Sequence, residues 1–166
     1  MTMSELPPQG RILARAVSAV VDAARQQDPV TLRAACAQLH ACDETLAREI
    51  LHRLTLGLVE RAYPDGLDAD DIQGLFDEVV RQASPWLTGL PDQPGLDPYA
   101  VVIVLAGALS IHPPDDAPRP SLDPDALPIA CALVVDHLLT RLGARLPAEL
   151  ARAFDELHTA QTMEIP

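Results

Sequence analysis

Lysine and asparagine are missing from the 166 residues, and all twelve basic residues are arginine. That bias is expected of a GC-rich bacterial genome and reflects codon usage before it reflects function. Aromatic residues make up only 3% of a chain that is 48% hydrophobic, so Leu, Val and Ala must fill any core. Cores of that kind are usually helical. The three cysteines, Cys36, Cys42 and Cys131, form neither a paired framework nor a Cys-x-x-Cys motif. A chain this long needs no staples, so a reducing, cytoplasmic setting is expected. Glu5, Pro7-Pro8, Arg11 and Arg15 interrupt the first apolar run, and no secretory signal is read there.

Several chemistries find no motif. The chain has no Gly-x-Gly-x-x-Gly, no Gly-Lys-Ser/Thr and no Gly-x-Ser-x-Gly, so nothing supports nucleotide binding or singles out a nucleophile. Basic charge is scarce beyond the first third. Met1 to Ala62 carries seven arginines against seven acids, whereas Tyr63 to Pro166 carries five against seventeen. A net charge of −12 without a basic cluster repels phosphate backbones, so nucleic acid is not an expected partner. Solubility accounts for the acidity, and basic protein partners remain compatible with it.

The chain is rich in apolar helical pattern. Asp97-Pro98 opens Tyr99 to Ile111, which is apolar all round, with no charge between Asp97 and Asp115. Asp97 can accept from free amides and Pro98 fits the first helical turn, which favours helix over strand. Its 13 residues fall short of the roughly 20 that cross a bilayer, so other helices of the chain are expected to enclose it, and no membrane role is expected.

Residues 1–9 read as a flexible lead to one all-helical domain over 10–163. Leu13, Val17, Val20 and Val21 recur at helical spacing, and Asp28-Pro29 starts a second helix with Leu32, Ala35, Cys36 and Leu39 inward. A third, 43–62, stacks Leu46, Ile50, Leu54 and Leu58, with Gly57 expected to permit a close approach and Leu56 and Val59 expected outward. Asp68 and Asp71 form an aspartate version of a capping box for a fourth helix reaching about Ala83. Ser84-Pro85-Trp86 is a short turn that tucks in the one tryptophan, and 112–121 is the longest loop. A helix from Asp123-Pro124 to Leu142 turns Leu127, Cys131, Val134, Val135 and Leu138 inward; Gly143 ends it, and a last helix runs over 147–162. Leu67-Asp68-x-Asp70 and Leu122-Asp123-x-Asp125, 55 residues apart, read as repeated capping rather than duplication. The expected fold is all-α: a single-domain, roughly seven-helix antiparallel bundle around a buried central helix at 98–111.

Glu49-Ile50-Leu51-His52 has the Glu-x-x-His spacing of di-iron bundles, and Asp155 to His158 offers an aspartate version. At about 100° per residue, both point away from their apolar stripes, so no metal site is expected. Cys36, His40, Cys42 and His52 match no zinc spacing, and Cys36 reads as a small core hydrophobe. The Asp65 to Asp71 run lacks the ligand pattern of a calcium loop. Tyr99 and His112 stand at opposite ends of the 98–111 helix, too far apart for one small substrate.

The candidate acid–base pair is Asp136-His137, with Arg141 one turn on. No cofactor is expected. The leading expectation is a non-catalytic protein-binding or assembly module, self-associating as a homodimer or larger homo-oligomer. The alternative is a small-molecule-binding protein, or a cofactor-independent enzyme, holding an apolar ligand between helices near Trp86, Tyr99 and His137.

Overall fold

The computed structural model describes residues 2–89, 95–111, 114–118 and 120–163. Among them are seven α-helices and no strand: α1 (Pro8–Arg25), α2 (Pro29–His40), α3 (Glu44–Ala62), α4 (Ala69–Ala83), α5 (Pro98–Ala108), α6 (Ala126–Leu142) and α7 (Leu146–Met163). Aspartate capping starts most of them. Asp28 accepts from the amides of Val30 and Thr31, Asp43 from Leu46 and Asp97 from Tyr99, while Asp68 and Asp71 exchange both bonds of a capping box. Asp123 differs from the expectation: its carboxylate accepts from the amide of Asp125, and α6 begins only at Ala126. Arg33 draws both aspartates together, at 3.1 Å from Asp123 and 3.0 Å from Asp125, and holds this stretch as a turn.

The segment before α1 is anchored rather than a loose lead. Met3–Glu5 forms a 3₁₀ turn and Leu6 is 3% exposed within the main core. The expected close approach at Gly57 is not made: a Cβ added there would meet nothing within 4 Å. Gly95 is where glycine is needed, since its Cβ would fall 2.7 Å from the carbonyl oxygen of Leu87. The 88–93 connection and the 112–121 loop lie partly outside the described residues, and His112 lies wholly outside them.

The most enclosed helix is α6, which packs against each of α1 to α5. Its run from Ala126 to Val135 carries no charge, and Ile129 to Val135 are all buried. By contrast, α5 packs chiefly on α6, with smaller contacts to α3 and α4, and the helix expected to be enclosed is exposed along one side. Val102 is 46% and Tyr99 42% exposed, while Ala100, Val101, Leu105 and Ala108 face inward. An apolar circumference states that any face of the helix can be buried; it does not say how many neighbours arrive. The helix also ends at Ala108 rather than 111, where Ser110 takes a left-handed φ of 56° and the Ile111 amide returns to the Ala106 carbonyl.

Val59, expected outward, is buried, and Leu56 is half-buried. The reason is that α3 packs against α6 and α7 together, so its second flank is covered too. Arg61 of α3 and the buried Glu149 of α7 pair across that contact. At Gly143, φ of 61° allows the chain to turn by 113° from α6 into α7. No single helix among the described residues is long and apolar enough to cross a membrane.

Candidate functional groove

Two parallel rows of side chains run along α3. Glu44, Arg48 and His52 form one i, i+4 series, and Ala47, Leu51 and Thr55 form the next. The second row, small or apolar, faces α5 and α6 across a groove of about 530 Å³, and the first row makes its polar edge. Ile103, Val104 and Gly107 of α5 form the facing wall. Leu127, Pro128 and Cys131, on one face at the start of α6, complete the floor. Leu39, His40 and Cys42, where α2 turns into α3, close one end. Leu127, expected inward, is 40% exposed because the groove opens in front of it. A smaller cavity of about 170 Å³ lies on the other side of Cys42, against Ile12 and Leu13 of α1.

The polar atoms of the floor are already occupied. Thr55 is buried, donates to the Leu51 carbonyl at 2.8 Å and lies 3.4 Å from the Cys131 sulfur. Burial pushes the Cys131 thiol up to about 11, against which the Thr55 contact is a smaller opposing effect. Burial raises the Cys42 thiol as well. Both sulfurs are therefore neutral thiols at neutral pH, unsuited to nucleophilic attack. At the edge, His40 Nε2 lies 2.8 Å from Asp125 Oδ1, tying the end of α2 to the Arg33 cluster. Arg48 pairs with Glu44 at 2.6 Å, but both side chains are largely exposed. His52 is exposed and has no hydrogen bond or ion pair among the described residues.

The residues singled out from the sequence lie elsewhere. Asp136 and His137 diverge, as neighbours on a helix must: Asp136 accepts from Arg25 of α1 at 2.9 Å, whereas His137 faces α4. The His137 side chain is 11% exposed, with Nδ1 at 3.2 Å from the Gln82 side-chain oxygen. Its Nε2 is 3.0 Å from Glu78, an ion-pair separation without the alignment of a hydrogen bond. Burial holds the imidazole below its ordinary pKa; Glu78 opposes this and Arg141 adds to it. Arg141 itself donates to the Tyr63 hydroxyl at 2.6 Å and stacks 4.6 Å over that ring. The Asp136 and His137 side chains are thus both engaged by neighbouring helices.

Trp86 is half-buried against the core and Tyr99 stands exposed at the start of α5. Neither they nor His137 line the groove. Glu49 pairs with Arg53 at 2.8 Å, and both His52 and His158 are exposed. Among the described residues no three His, Cys, Asp or Glu side chains gather as a metal site would require. Cys36 is buried on the α2 core stripe as expected.

The groove was missed because its walls come from positions scattered over about 90 residues, from Leu39 to Cys131. The doubled i, i+4 rows of α3 were the one local signal. Comparison of the chain with protein-family models, curated proteins and solved structures finds no match, so no function passes to it from a relative.

Proposed function

We propose that this protein is a non-catalytic binding protein that takes a small, largely apolar ligand in the groove between α3, α5 and α6. The observation that carries the reading is the groove itself: about 530 Å³, within the roughly 300–1,000 Å³ of ligand sites, with an apolar floor and a few polar groups along one edge. Its thiols are neutral, its buried hydroxyl is engaged, and no activated nucleophile faces it, which supports binding without chemistry.

Gly107 gives the test. It lines the groove, and a Cβ built there meets nothing within 4 Å, so Gly107→Leu adds bulk to the cavity without a clash at Cβ and with better helix propensity. Titration with the uncharged dye Nile red is expected to give saturable fluorescence with the native chain and at least about tenfold weaker binding with Gly107→Leu, its thermal transition no lower. Equal dye binding by the two chains would overturn the reading.

A second reading, self-association, is favoured by the outer face of α5, where Tyr99 and Val102, three positions apart, are both exposed. The occupant would be a second copy. Light scattering on the native chain and on Val102→Glu tests it: a dimer that the substitution dissolves supports this reading, and a monomer at every concentration overturns it.

A further inference from the structure

We infer that the ligand of this groove is an amphiphile with an anionic head, its carboxylate or equivalent held at Arg48 and His52 and its apolar body lying over Leu51, Val104 and Leu127. The inference rests on the reading of the groove as a ligand site. It comes from how the lining is sorted. Apart from the engaged Thr55 hydroxyl and the Cys131 thiol, the floor and the α5 wall are apolar, while the ionisable groups Glu44, Arg48, His52 and His40 fall on one edge. A ligand that fills such a groove needs one polar end, and the row defines where that end sits.

The sign follows from which edge groups are open to a new partner. His40 is committed to Asp125 at 2.8 Å. Arg48 is held only by Glu44, and the two side chains are 73% and 85% exposed, a geometry in which an ion pair contributes little and exchanges readily. A guanidinium has five N–H donors, so a carboxylate can bind beside or instead of Glu44. His52, one helical turn on, lines the same groove and has no hydrogen bond or ion pair among the described residues. In a chain of net charge −12, an edge whose free groups are an arginine and a histidine stands out from its surroundings. Glu44 is the opposing group; as a like charge it weakens the head's attachment without abolishing it.

The experiment compares decanoate with decanol, which share a chain and differ in the head, as displacers of Nile red from the native chain, Arg48→Gln and Glu44→Gln. Both substituted positions are surface groups, and circular dichroism confirms each fold. Decanoate is expected to bind Arg48→Gln about fivefold more weakly and Glu44→Gln about threefold more tightly than the native chain, with decanol unchanged. Equal effects on acid and alcohol, or none on either, would overturn the anionic head while leaving the groove reading intact. Failure of both compounds to displace the dye would overturn the groove reading and this inference with it.

Discussion

Leu138→Ala in α6 and Val102→Ala in α5 separate the two helices that compete to be the axis of the bundle. Leu138 is fully buried, so truncation loses roughly three carbon groups at about 0.8 kcal/mol each and leaves a cavity, for a total near 3–4 kcal/mol. Val102 is 46% exposed. Shortening it loses at most about 0.8 kcal/mol of burial, and the better helix propensity of alanine offsets about 0.5 kcal/mol of that. Urea denaturation followed by circular dichroism is the assay, with an unchanged slope showing that the two-state comparison holds. Leu138→Ala is expected to lower the unfolding free energy by about 3–4 kcal/mol and Val102→Ala by under about 0.5 kcal/mol. A cost for Val102→Ala equal to that of Leu138→Ala would refute the reasoning, because the outer face of α5 would then have to be enclosed.

Two further outcomes follow from local geometry. Gln27 sits at the left-handed position after α1 with φ of 56°, its amide bonded to the Ala24 carbonyl and the next amide to Ala23. Gln27→Gly removes the Cβ strain and is expected to raise stability by about 0.5–1 kcal/mol in the same urea assay; no change or a loss would contradict the strain argument. His137, whose imidazole is held below its ordinary pKa by burial, favours the neutral form in the folded chain. The unfolded chain therefore binds more protons, and this contribution is complete above about pH 6.5 and fades as pH falls below it. Tm measured between pH 7.5 and 5 is expected to fall less steeply for His137→Gln than for the native chain, and parallel profiles would show that the burial does not matter.

Most helices could be placed from sequence because their starts are written in side-chain chemistry. Asp28, Asp43, Asp68 and Asp97 each accept from backbone amides where capping logic puts them. Asp123 breaks the pattern because its carboxylate is shared with Arg33, a partner 90 residues away. Which helix is central was not legible. The uncharged α5 has the stronger signal, yet α6, with Asp136, His137 and Arg141 confined to its last turns, receives five neighbours. His137 is conspicuous in the sequence as a titratable group beside an apolar stripe, whereas its partners Glu78 and Gln82 come from α4, about 55 residues away, and could not be read from its own helix. Among the described residues no helix lies over the groove between α3 and α5, which no residue in the sequence records.

Methyl-resolved NMR of the native chain during addition of decanol tests the groove most directly, because it reports position as well as affinity. The account predicts saturable shifts at Leu39, Leu51, Ile103, Val104 and Leu127, with the methyls of Val17 and Val21 in the α1 core unmoved. Shifts confined to Val102 on the open side of α5, or spread evenly over the surface, would contradict it.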